Sequence, residues 1–129
     1  RRSVSSKRFL IDRDIEKEVY LLYDIIKNNI KEVYVCESQI NALTLQSWGY
    51  PAIALLGTGS EYQYKLLNKS GILKYNLCFD GDLAGRKGIS RFIENITNAF
   101  ITIINIPDKK DVNDLTKEEF DNLPKLEYE

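Results

Sequence analysis

Apolar positions along the chain change their rhythm repeatedly, and each change delimits an element. From Asp14 to Asn29, Ile15, Val19, Leu22, Ile25, Ile26 and the following Ile30 recur at three- and four-residue steps, the period of an amphipathic helix. Val33-Tyr-Val-Cys36 is short and β-favouring and reads as a buried strand. Helical spacing returns from Ile40 to Trp48 and stops at Gly49, a good terminator. Pro51 to Leu56 reads as a second buried strand, ended by Gly57-Thr58-Gly59. Ser60 can cap a helix running to Asn68. Asn76–Phe79 is the third strand, and Ala84 to Asn95 places Ile89, Phe92 and Ile93 on one helical face, continued by Ile96. Phe100–Ile104 is the fourth strand, closed by Pro107, and Thr116-Lys-Glu-Glu119 matches the capping box of a short last helix.

Strands alternating with helices of this length imply right-handed βαβ units and a parallel sheet covered on both faces. Composition narrows the chemistry. At 129 residues and 43% hydrophobic, the chain suits one domain with one core. A net charge of −1 excludes a polybasic nucleic-acid binder, so such a partner must be engaged locally or through metal ions. The basic clusters Arg1, Arg2, Lys7, Arg8 and Arg86, Lys87, Arg91 read first as solvated surface. The absence of histidine removes His-based acid–base catalysis and any His-containing zinc site. Cys36 and Cys78 lie within apolar runs and read as reduced core residues of a cytoplasmic protein. No apolar run is long enough to span a membrane, and no signal peptide is visible. A chain that starts Arg-Arg and contains no methionine points to a piece of something longer.

In a parallel sheet, ligands gather outside the C-terminal ends of the strands. Glu37 follows the first strand, the Gly57–Gly59 loop follows the second, and Asp80 and Asp82 follow the third. Gly81 lets the backbone bend so that both aspartates can point the same way. Three carboxylates there make an oxygen-rich cluster suited to Mg²⁺ or Mn²⁺. An Asp-x-Asp spacing alone is weak, since Asp12 and Asp14 show it too and read as partners of a helix N-terminus. For Asp80 and Asp82 capping is the rival reading, and the strand context with Glu37 favours the metal.

The residues resemble the Toprim domain of bacterial- and phage-type DNA primases. Its first motif, a strand ending in Glu-Gly followed by two residues and Asp-Ala-Leu, appears as Val35-Cys-Glu-Ser-Gln-Ile-Asn-Ala-Leu43. Its second appears as Phe79-Asp-Gly-Asp-Leu-Ala-Gly-Arg86. Leu56-Gly-Thr58, Gln63 and Leu66-Leu67 are similar to the segment between them, and Pro107 with Lys110-Asp-Val-Asn-Asp-Leu115 to the segment after the fourth strand. Two positions depart, with Ser38 in place of Gly and Asn41 in place of Asp.

The resemblance implies a Toprim-like α/β fold with a four-stranded, mainly parallel sheet flanked by helices on both faces. Residues 1–32 would lead into a catalytic core at 33–115, and 116–129 would form a C-terminal helix and tail. It further implies metal-dependent nucleotidyl transfer that makes RNA primers on single-stranded DNA from ribonucleoside triphosphates. Glu37, Asp80 and Asp82 would be catalytic, holding Mg²⁺ or Mn²⁺ with Asp111. Arg86, Lys87 and Lys110 would meet nucleotide or template, with Asn41, Gly57, Thr58 and Asn113 in secondary roles. A zinc module and the contact with a replicative helicase would belong to parts outside this chain, and no membrane is involved. A Toprim nuclease, a topoisomerase-type protein and a non-catalytic nucleic-acid-binding Toprim share the same core. Trp48, Tyr62 and Tyr64 are candidates for base stacking, with packing against the sheet as the alternative.

Overall fold

A computed structural model describes residues 19–56 and 59–128. Asp12, Asp14, the basic cluster at residues 1–8, and Gly57 and Thr58 lie outside the described residues. The elements in order are α1 (Leu22–Lys27), β1 (Glu32–Cys36), α2 (Gln39–Ser47), β2 (Ala52–Ala54), α3 (Glu61–Lys69) and β3 (Lys74–Leu77). They continue with α4 (Leu83–Asn95), β4 (Phe100–Ile104), a 3₁₀ turn (Val112–Asp114), α5 (Lys117–Asp121) and β5 (Lys125–Tyr128).

Side-chain alternation along the strands splits the interior into two layers. Val33, Val35, Ile53, Tyr75 and Leu77 face one side, where Leu22, Ile25, Tyr64, Leu67 and Phe92 of α1, α3 and α4 cover them. Cys36, Ala52, Ala54 and Cys78 face the other, under Ala42 and Leu45 of α2 and Phe120 of α5. Both cysteines are free and buried, as their apolar setting predicts. Phe92 is the hub of the first layer, with Tyr64, Tyr75 and Phe79 edge-on around it at centroid distances of 6.0, 5.2 and 6.2 Å.

The sheet has the order β2-β1-β3-β4-β5. β1 pairs in parallel with both β2 and β3, and β3 pairs in parallel with β4. The connection after β1 therefore runs outward to β2, whereas the connection after β3 runs the opposite way to β4. Between β1 and β3 the chain changes direction, which opens a crevice at their C-terminal ends. Glu37 and Asp80 lie there.

Three sequence expectations are corrected. The sheet has five strands rather than four, because Lys125–Tyr128 in the supposed tail pairs antiparallel with β4. All of β5 is solvent-exposed, so no apolar run announces it. Its alternating Lys125 and Glu127 suit an edge that must not recruit another strand. Of the helix expected over Asp14–Asn29, the described residues show Leu22–Lys27 as helix and Val19–Leu21 as non-helical, while residues 14–18 lie outside the described ones. Tyr20 is drawn into an antiparallel bridge with Ala54, donating to its carbonyl at 2.8 Å and accepting from its N–H at 3.1 Å. Leu21 then turns the chain at φ 72°. This bridge covers the free edge of β2, which outweighs one more helical turn. Finally, β3 ends at Leu77 rather than Phe79, although Cys78 N–H still bonds the Val35 carbonyl at 2.8 Å.

Phe92→Ala should cost roughly 3–5 kcal/mol in urea unfolding because it empties the centre of one layer. Phe100→Ala, at a site 75% exposed, should change stability by no more than about 0.5 kcal/mol.

Candidate metal centre

Glu37 is the first residue beyond β1, and its Oε1 accepts a hydrogen bond from the Asp80 N–H at 2.9 Å. The Glu37 carboxylate thus reaches the main chain of the second motif across the β1–β3 crevice. Burial and the neighbouring charges of Glu37, Asp111, Asp82 and Asp114 push the Asp80 carboxyl up to about 6. Glu37 is also raised, by burial above all and by the charge of Asp82, against the lowering effect of its bond from Asp80.

Asp82 plays a different part. It is the N-cap of α4, and its Oδ1 accepts from Gly85 N–H at 2.7 Å. The capping alternative is therefore realised here, and the negative charge sits at the positive end of the helix. Close approach explains two glycines of the motif. A Cβ at Gly85 would collide with the carbonyl oxygen of Asp80, and one at Gly81 with that of Pro107.

Gly81 also joins the site to the loop after β4. Its N–H donates to the Lys110 carbonyl at 2.9 Å, and its carbonyl accepts from Lys109 N–H at 2.7 Å. Asp111 is thereby held beside Asp80, with its Oδ1 buried and lacking a hydrogen-bond partner among the described residues. Asp114 accepts from Asp111 N–H at 3.0 Å and so orients the turn. Asn41, 1% exposed in the first turn of α2, lies between the two acidic segments. Its Nδ2 donates to Asp80 Oδ1 at 3.5 Å, and its Oδ1 accepts from Asn113 Nδ2 at 2.8 Å.

The expected basic contacts are more dispersed. Arg86 is exposed and forms an ion pair with Asp108, and Lys87 is exposed one residue on. Lys110 touches the site through its carbonyl, while its ammonium helps lower the Glu119 carboxyl, whose main influence is a bond from Thr116. Trp48 packs on Phe120 at 5.7 Å and Tyr64 is 4% exposed, so both serve the core. Sequence reasoning did not single out Thr44, Asp108, Asp114 or the capping role of Ser38, whose side chain accepts from Asn41 N–H. Ser38 left a local signal, as a serine before a helical run, and Asp114 stood within the Lys110–Leu115 segment.

The donor set is all oxygen, which fits a hard divalent cation, and the orphaned Asp111 Oδ1 gives such an ion an unclaimed buried ligand. Among the described residues, no three acidic or cysteine side chains already form a cage. That is compatible with Mg²⁺, which keeps several waters and takes one or two carboxylates together with substrate phosphates.

Known proteins resemble this chain in sequence and fold. A family profile described as Toprim-like matches residues 34–116. A DNA primase of Campylobacter jejuni is 33% identical over 91 residues, which is 67% of this chain and 14% of that protein. A DNA primase domain from Pseudomonas aeruginosa, solved by crystallography, superposes with a TM-score of 0.67 at 28% identity, covering 81% of this chain and 35% of that one. The primase fragment of the bacteriophage T7 primase-helicase protein gives a TM-score of 0.56 at 26% identity, over 65% of this chain and 38% of that one. The chain spans only a small part of the proteins it matches. No described helix is long and apolar enough to cross a membrane.

The raised Asp80 has a measurable consequence in metal-free protein. The folded state binds its proton more tightly than the unfolded chain, so this stabilisation is present below about pH 4 and is lost as pH rises toward 6. Asp80→Asn should flatten that fall and raise the metal-free melting temperature at pH 8. An unchanged pH–stability profile in the variant would refute the crowding described here.

Proposed function

This chain belongs to the Toprim-like family, and from that premise we propose that it is the metal-binding catalytic domain of a DNA primase. Its reaction would be nucleotidyl transfer from ribonucleoside triphosphates on a single-stranded DNA template. The observation that carries the reading is that the Glu37 carboxylate meets the Asp80 N–H at the β1–β3 crevice, with Asp111 nearby presenting a buried carboxylate oxygen that has no partner among the described residues. DNA primases are also the relatives it matches.

Glu37, Asp80 and Asp111 would supply the oxygen ligands, with Asp82 adding charge while it anchors α4. Bound there, Mg²⁺ or Mn²⁺ would offset the carboxylate crowding and neutralise charge developing on phosphoryl oxygens. Glu37 is held in place by the Asp80 N–H, so it reaches the crevice without a rearrangement of β1. Arg86 and Lys87 lie on the first turns of α4, where cations can meet phosphates of nucleotide or template. Arg86 must exchange Asp108 for a phosphate to do so. The template, the helicase and the growing primer require surfaces that the remainder of the longer protein provides. The T7 relative is named a primase-helicase, which supports helicase coupling outside this domain. A non-catalytic Toprim module is the rival reading, and Asn41 in place of the family's Asp is what favours it.

Titration of Mn²⁺ into wild type and Asp80→Ala/Asp82→Ala decides between metal binding and a merely acidic turn. Wild type should bind and melt higher with metal, whereas the double variant should do neither. Glu37→Gln should weaken binding, and equal binding by all three would remove the site. In a template-directed assay the isolated chain should make little primer, and abundant product would show that the domain needs no further lobe.

A further inference from the structure

Asn41 is more than a missing acid. Its amide is the third member of a side-chain relay that starts at Thr44, whose hydroxyl donates to Asn113 Oδ1. Asn113 Nδ2 donates to Asn41 Oδ1 at 2.8 Å, and Asn41 Nδ2 donates in turn to Asp80 Oδ1 at 3.5 Å. Every link points its donor toward Asp80. The direction is set by chemistry, because the opposite amide orientation would aim the Asn41 oxygen at a carboxylate and its NH₂ at that of Asn113. The relay also joins three elements, since Thr44 and Asn41 belong to α2, Asn113 to the 3₁₀ turn, and Asp80 follows β3.

We infer that Asn41 is a positioning residue that holds the Asp80 carboxylate by one oxygen and locks the Asp111 turn to it through Asn113. The inference deepens the metal-site reading and rests on it for its functional consequence. An aspartate at position 41 accepts from Asn113 equally well but has nothing to donate to Asp80, and it adds a further negative charge near Glu37, Asp80, Asp82, Asp111 and Asp114. Asparagine therefore gives this chain a site that tolerates the metal-free state. The last link is long at 3.5 Å and is the weakest of the three. Side chains that orient ligands from behind commonly change metal affinity by about 10–100-fold when removed.

The test compares wild type with Asn41→Asp, Asn41→Ala and Asn113→Ala by thermal melting in chelator and by Mn²⁺ titration at pH 8. In chelator, Asn41→Asp should melt below wild type despite its near-identical shape. Its rise on adding Mn²⁺ should exceed that of wild type, because the cation relieves the added repulsion. Asn113→Ala, which touches no proposed ligand side chain through its amide, should bind Mn²⁺ about tenfold more weakly. A purely structural Asn41 would make Asn41→Ala destabilising with and without metal alike and leave Mn²⁺ affinity unmoved in Asn113→Ala, which would overturn the inference. If Asn41→Ala does not fold, Asn41→Asp and Asn113→Ala carry the decision. Should wild type bind no Mn²⁺, the metal reading fails. The ranking in chelator then still decides the relay, and an Asn41→Asp melt equal to wild type would sink it.

Discussion

Two backbone hydrogen bonds at Gly81 hold the site together. Its N–H and carbonyl are both taken by the loop after β4, at 2.9 and 2.7 Å, and the Pro107 carbonyl fills the space a side chain would need. Asp80 precedes this residue and Asp111 follows the residues it binds. Any side chain at position 81 would push the loop away, and Asp111 would leave Asp80. The acidic centre is therefore a consequence of main-chain contact first and of carboxylate chemistry second.

That contact crowds like charges, and the surroundings show how the fold tolerates them. Glu37 takes the Asp80 N–H, Asp82 takes the first turn of α4, and Asn41 offers a donor where another acid would repel. What these leave unrelieved is the raised Asp80 and the orphaned Asp111 oxygen. Both are conditions that a bound divalent cation would remove.

Much of the fold was legible because burial imposes a period. β1 and β4 carry short β-favouring apolar runs and α2 to α4 helical rhythms, and Ser60 and Thr116 cap their helices as read. The site was legible for the same reason, since carboxylates placed after apolar runs must emerge at strand ends. β5 escaped because four residues with only Leu126 and Tyr128 on one side make too short a pattern to read, and its pairing with β4 is what makes it a strand. Tyr20 escaped because its neighbours fit a helix, while the need to cover the β2 edge is invisible without the sheet.

The sequence by itself determined the alternation of elements, the glycines that permit close approach, and the positions at which acids leave the sheet. These depend on residues near one another in the chain. Tertiary structure alone decided the surroundings of each acid. It made Asp82 a cap, made Asp80 the crowded carboxyl and left Asp111 with an unclaimed oxygen. It also turned Asn41 from a lost ligand into a donor, through Asn113 at a separation of 72 residues. Charge state and hydrogen-bond direction depend on what packs against a group, and here those neighbours come from distant strands and turns that only the folded sheet brings together.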